Sequence, residues 1–226
     1  AGFSEPWKNG LASVAGGAFT MGSREGAADA QPRAVEVGAF RIGRLEVTVG
    51  EFVEYLNESG ATNWPGSPQV SGRSGRWSAG WFRSRDPAAF VRVSDAADYC
   101  RWLSEKTGAA GRLPTEAEWE SAARGGIRRA RFPGGWGDPA GRACYAANAP
   151  RKVGSFEPNP FGLYDMAGNV FEWCEAAGAD KAPARGGSWA EKDPKFLRVF
   201  HRALFPRDYR DADVGFRIVV EEKLNP

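Results

Sequence analysis

The residue types able to do chemistry are few in this sequence and widely spaced. Three cysteines, Cys100, Cys144 and Cys174, form no CxxC pair, and such spacing builds neither a zinc ribbon nor a disulfide framework. One bridge with a spare thiol and three reduced thiols are both open, and Cys100, beside Tyr99 and Trp102, reads as a packed core thiol. The one histidine, His201, cannot by itself assemble a multi-histidine metal site. General base, polar interface residue and satisfied loop residue all remain open for it. Ser188 has no His–Asp set to activate it. Oxygen donors are better placed. In DMAGNVFE (165–172) the carboxylates of Asp165 and Glu172 flank a glycine-containing turn whose carbonyls can point inward, the donor mix that calcium takes. The alternative is that Asp165, Asn169 and Glu172 cap turns and accept backbone hydrogen bonds.

A second constellation lies at 192–211, where Lys192, Lys195, Arg198, Arg202, Arg207 and Arg210 are interleaved with Phe196, Phe200, Phe205 and Tyr209. Arginine with aromatics is the composition of interface hot spots. The same mixture suits an anionic ligand, and its plain structural reading is a solvated face with the aromatics turned inward. Trp77, Trp81 and Arg83 are candidates to extend the surface. A net charge of +2, from 30 basic and 28 acidic residues, argues against a dedicated nucleic-acid binder. Hydrophobic residues at 42% and charged residues at 26% exclude a disordered or fibrous chain. No apolar run approaches the roughly 18 residues of a membrane span.

The elements that must position these residues read as α+β, with two main helices, short strands and much ordered loop. A strand is expected at Val14–Met21 around a Gly-Gly turn, and a second over Val35–Val37 and Phe40–Ile42, with a polar loop at 22–33 between. Thr48 with Glu51 three residues later is a capping box, and Phe52, Val53 and Leu56 give the helix over 49–57 one apolar face. Residues 59–90 read as a long ordered loop, because Trp64, Trp77, Trp81 and Phe82 demand burial. The second helix runs from near Ser94 to Gly108. A short third follows Thr115, with Glu118 completing the cap and Trp119 on its apolar side. Strands are expected at 184–189, 197–202 and 214–220. Arg112, Glu116, Glu118 and Glu120 read as a polar lattice that pins loops, with Arg217 a partner for one of those carboxylates. Gly186, Gly187 and Gly215 mark special backbone or close approach.

Four segments stand out together in order and spacing: GGAFTMGS (16–23), GRLPTEAEWESAARGG (111–126), NPFGLYDMAGNVFEWC (159–174), and ARGGSW (184–189) followed by VGFRIV (214–219). They resemble the formylglycine-generating enzyme, or sulfatase-modifying factor, family. The resemblance covers about residues 14–220. It implies one domain over 1–226 with that family's variant of the C-type-lectin fold. It also maps the family's calcium ligands onto the side chains of Asp165 and Glu172 and the backbone oxygens of Gly168 and Val170. Asn148 and the Ala149 carbonyl match a second, incomplete calcium site. A structural calcium ion is therefore expected.

The family's oxidase uses two cysteines that bind copper between the RGGSW and GFR motifs. Their positions fall at about Pro194 and Val199, and residues 190–213 contain no cysteine. A further branch binds iron through histidines of an additional helical domain, which one histidine cannot supply. Neither copper nor iron is expected. The resemblance thus points to a non-catalytic binding or regulatory protein whose partner surface is Phe196, Arg198, Phe200, His201, Arg202 and Tyr209. Family members without the cysteines occur as envelope components, one group acting upstream of a transmembrane Ser/Thr kinase that controls type VI secretion. By that analogy a protein partner, an envelope kinase or receptor, is expected. The chain opens at Ala1 rather than Met, as a processed or trimmed chain would, and a periplasmic or secreted location is the matching expectation. The alternative is an enzyme of altered chemistry acting on a peptide or siderophore precursor, as another branch does in pyoverdine maturation.

Overall fold

Helix α1 (Val49–Glu58) begins where the capping box places it: Thr48 Oγ1 accepts from the Glu51 amide at 3.3 Å and Glu51 Oε2 accepts from the Thr48 amide at 2.8 Å. Its buried face carries Phe52, Tyr55 and Leu56. Helix α2 (Val93–Thr107) opens with Asp95 accepting from the Arg92 amide and stops at Gly108, whose φ of 69° is the left-handed cap conformation. Helix α3 (Glu116–Arg124) has the second capping box, Thr115 with Glu118, and stops at Gly125. The computed structural model describes residues 10–26, 30–62, 64–73, 76–81, 83–135, 137–176, 178 and 180–221. Helices α1 and α2 meet over an aromatic core in which Phe52 stacks on Tyr99 at 6.2 Å and Tyr99 meets Phe216 edge-on at 5.3 Å.

Two four-stranded sheets frame that core. The first has the order β1 (Leu11–Val14), β4 (Phe40–Gly43), β12 (Val219–Glu221), β7 (Gly111–Arg112), all antiparallel, so the two ends of the domain close on each other through Ile42, opposite both Ala12 and Val219. The second has the order β10 (Arg202–Pro206), β9 (Lys181–Arg185), β8 (Phe171–Trp173), β11 (Val214–Gly215), with only the last pair parallel. Two antiparallel ribbons complete it, β2 (Gly17–Met21) with β3 (Arg33–Val37), and β5 (Val70–Arg73) with β6 (Arg76–Ala79).

Several expectations need correction. The long loop at 59–90 contains the β5–β6 ribbon, held because Asn57 brackets Trp77 (Oδ1 from its amide at 2.7 Å, Nδ2 to its carbonyl at 3.0 Å). Trp64 and Trp77 are buried, but Trp81 is 92% exposed, and Phe82 lies outside the described residues. Residues 197–202 are not a strand: Asp193 caps a short 3-10 turn at Pro194–Leu197, and pairing starts only at Arg202. Strand β9 ends at Arg185 because Gly186 and Gly187, at φ of 95° and 75°, turn the chain. Residues 214–220 split into β11 and β12 in different sheets, and Arg217 between them pairs with Glu172, not with the carboxylates at 116–120. The rest of the lattice forms. Arg112 grips Glu118 with two nitrogens at 2.6 and 2.7 Å, Arg185 bridges Glu116 and Glu120, and Arg202 reaches Glu116 at 2.8 Å.

Candidate functional site

The 3-10 turn aims one cluster of side chains outward. Gly187 permits it, since a Cβ there would sit 2.8 Å from the Phe196 carbonyl, and the fully buried Leu197 and Val199 anchor it. Between them Phe196, Arg198, Phe200, His201 and Arg202 come together with Glu25, Gly26, Ala30 and Lys195 around a cleft of about 230 Å³. The His201 ring meets Phe196 edge-on at 5.1 Å, Lys195 Nζ stands 4.9 Å over the Phe196 ring, and the Arg198 guanidinium lies 5.8 Å over Phe200. Arg198 Nε is buried with no hydrogen-bond partner. Phe200 is 4% exposed, so it floors the cleft rather than projecting from it.

Tyr209 is the expected surface residue that the structure does not bring to this cleft. Its ring stacks on Phe205 at 4.5 Å and its hydroxyl donates to Asp213 at 3.1 Å. Burial raises its pKa, and the Asp213 carboxylate adds to the effect. Sequence reasoning missed Glu25 and Lys195 as cleft residues. Lys195 was visible in the basic run, whereas Glu25 reaches the site only through the turn after β2.

All three thiols lie in the interior. Cys100, Cys144 and Cys174 are free and buried, so neither bridge nor surface nucleophile forms. Burial pushes Cys100 up to about 12, Cys174 well up and Cys144 up, and a buried thiol that stays protonated is inert. Ser188 is fully buried.

The turn at 165–172 builds a buried ionic cluster. Glu172 takes Arg217 Nη2 at 2.5 Å on Oε1, and Arg217 Nε and Trp119 Nε1, each at 2.6 Å, on Oε2. Asp165 Oδ2 accepts from the Gly154 amide at 2.6 Å, and Glu46 Oε2 from Asn169 Nδ2 at 2.7 Å. Burial, with Asp165 and Glu172 close by, pushes Glu46 well above the carboxylate range, and burial pushes Asp165 up to about 6. Asp165 and Asn169 hold left-handed backbone, at φ of 56° and 61°.

A family model for the sulfatase-modifying factor enzyme 1-like domain matches residues 5–222. The chain belongs to this family. It is 32% identical over 234 residues to the serine/threonine-protein kinase pkn1 of Chlamydia caviae, with 90% of this chain and 37% of the kinase covered. The chain thus spans little more than a third of that relative. It is 31% identical to the formylglycine-generating enzyme of Thermomonospora curvata, with 73% of this chain and 70% of that one covered. Among solved structures it matches PvdO from Pseudomonas aeruginosa with a TM-score of 0.77 and 30% identity, over 94% of each chain. The α+β fold of the formylglycine-generating enzyme type is thereby shown, with three helices among the described residues.

The family implies calcium, and the residues fit it by donor type: Asp165 and Glu172 supply buried carboxylate oxygens, the hard donors that calcium takes. Glu172 uses three of about four acceptor sites, which leaves one on Oε1. Among the described residues no three His, Cys, Asp or Glu side chains converge on an ion-sized point. A cation would therefore rely on the Asp165 and Glu172 carboxylates and the Gly168 and Val170 carbonyls. Asn148 and Ala149 are exposed, and the Ala149 carbonyl accepts from the Cys144 thiol at 3.7 Å. Among the described residues, no helix is long and apolar enough to cross a membrane.

Proposed function

We propose that this chain is a binding and regulatory module on the formylglycine-generating-enzyme scaffold, not an oxidase. One observation carries the reading: all three thiols are buried and free, while the segment where the resemblance places the oxidase cysteines has an apolar anchor at Val199. An aryl–cationic cleft opens beside it, lined by Phe196, Arg198, His201 and Arg202. The cleft's aromatic and guanidinium groups suit a protein side chain or backbone segment. Similarity to a serine/threonine-protein kinase supports a kinase-linked role. The proposed partner is an envelope Ser/Thr kinase or receptor, with regulation of type VI secretion as the finer form of the reading and the periplasm or exterior as the location. Calcium, held by Asp165, Glu172, Gly168 and Val170, would act only structurally, by tying the 165–172 turn together.

Titration calorimetry against the soluble ectodomain of such a kinase tests this. Arg198→Ala and Phe196→Ala are each expected to weaken binding by about 2 kcal/mol. Unchanged affinity in both variants would overturn the assignment. The second reading, an enzyme that modifies a peptide or siderophore precursor, draws on the likeness to PvdO. Turnover of a cysteine-containing peptide, or a redox metal in purified protein, would favour it.

A further inference from the structure

Beside the cleft, and sharing Glu25 and Phe200 with it, lies a groove of about 820 Å³. One wall is the turn at 22–26 after β2, and the other is the loop at 128–131 after α3. Four exposed arginines line it: Arg24, Arg128, Arg129 and Arg131. Arg24, Arg128 and Arg129 pair with no carboxylate among the described residues.

Both walls are bolted to α3 by one buried pair. Glu120 Oε1 accepts from the Gly22 amide at 2.7 Å and from Arg124 Nη2 at 2.6 Å. The Arg124 guanidinium donates onward to the carbonyls of Gly22 at 3.0 Å and of Arg128 and Ala130, each at 3.3 Å. The Val199 amide also donates to the Arg131 carbonyl at 3.0 Å, which ties this loop to the cleft. The arginines thus project from fixed backbone, which removes the main-chain part of the entropy cost of binding.

Glu25 sits inside this cationic frame. Its carboxylate lies 2.7 Å from Arg131 Nη2 and 3.8 Å from Arg198 Nη1. The Arg131 and Glu25 side chains are 50% and 48% exposed, and pairs so open to water are weak. A competing oxyanion can displace Glu25 easily.

We propose that the groove binds an oxyanion-bearing segment of a protein partner, with Arg24, Arg128 and Arg129 as its anion ligands and Glu25 as an internal competitor. The side chains recognised are carboxylates or phosphates, both of which match the fork of a guanidinium. A nucleic acid fits less well, because the whole chain carries only +2 and the arginines are gathered at one groove rather than along a stripe. The inference rests on the binding-module reading only in taking the ligand to be part of a protein.

The test is fluorescence anisotropy at low salt with labelled hexaglutamate, a phosphoserine peptide of equal length, its glutamine counterpart and an oligothymidylate. Wild type is expected to bind one or both anionic peptides and not the glutamine peptide. Arg128→Ala/Arg129→Ala, at exposed positions and with an unchanged melting curve, should weaken binding about tenfold or more. Glu25→Gln should tighten it about threefold. The stronger anionic peptide identifies the source of the charge. Equal binding by wild type and the double variant, no tightening in Glu25→Gln, or tighter binding of the oligothymidylate overturns the proposal. The kinase titration separates the two readings: loss of kinase binding in Arg198→Ala, with peptide binding indifferent to the double variant, overturns the groove and leaves the module reading standing.

Discussion

Replacing Glu120 with alanine would remove the carboxylate that joins α3, β9 and the turn after β2. Its side chain is 1% exposed, and it receives Arg124 at 2.6 Å, Arg185 at 3.1 Å and the Gly22 amide at 2.7 Å. Arg185 keeps Glu116 at 3.0 Å, so Arg124 alone loses its counter-charge and keeps only the carbonyls of Gly22, Arg128 and Ala130. Breaking a buried pair from one side costs about 3–5 kcal/mol, and an orphaned amide about 1–3 kcal/mol. These losses share one network and do not add. The expected total is about 4 kcal/mol, a large fraction of the stability of a domain this size. It corresponds to a fall in Tm of about 10 °C. Urea unfolding should show a lower midpoint with unchanged slope. Hydrogen exchange should quicken at the Gly22 amide, which loses its acceptor. A loss below about 1 kcal/mol would refute the reasoning, because it would mean that the three carbonyls around Arg124 hold the buried guanidinium without a counter-charge.

Gly168→Ala should cost about 3 kcal/mol or more, since φ is 74° and a Cβ would run into the Cys144 carbonyl; chemical denaturation measures it. Glu118→Gln should flatten the acid limb of the stability curve. Burial opposes ionisation of Glu118, but the Arg112 guanidinium and the Thr115 amide outweigh it and hold the carboxyl below its usual range. Its contribution is therefore complete above the unfolded value of about 4.3 and is lost as pH falls through the lower folded value. Protein stripped with EDTA should melt at a higher temperature as calcium is added back up to millimolar. Identical melting with and without the ion would remove calcium from the 165–172 turn.

The helices were legible in the sequence because their signals are local. Thr48 with Glu51, Thr115 with Glu118, and Gly108 and Gly125 as stops each act within one turn of backbone, and all appear in the structure. What was illegible depends on contacts between distant segments. Arg217 had three plausible carboxylates nearby in the lattice, yet its partner is Glu172, chosen by the crossing of β8 beside β11. The split of 214–220 between two sheets follows from the same side chain turning inward. Residues 197–202 carry the apolar residues of a short strand, but Asp193 and Pro194 start a tight turn that consumes the first of them. The surface cluster was half legible: composition picked out Phe196, Arg198, Phe200, His201 and Arg202, which do converge, while Tyr209 is drawn away by Phe205 and Asp213. Glu25 carried no sequence signal, because its importance lies only in being folded between Arg131 and Arg198.

The central claim is that this scaffold has exchanged thiol oxidation for binding. The most direct measurement is mass spectrometry of a sulfatase-type cysteine peptide after aerobic incubation with copper-loaded protein. The account predicts that the peptide's cysteine is not converted to formylglycine, because residues 190–213 hold no cysteine and Cys100, Cys144 and Cys174 are buried. A mass loss that marks conversion of the cysteine to an aldehyde would contradict it.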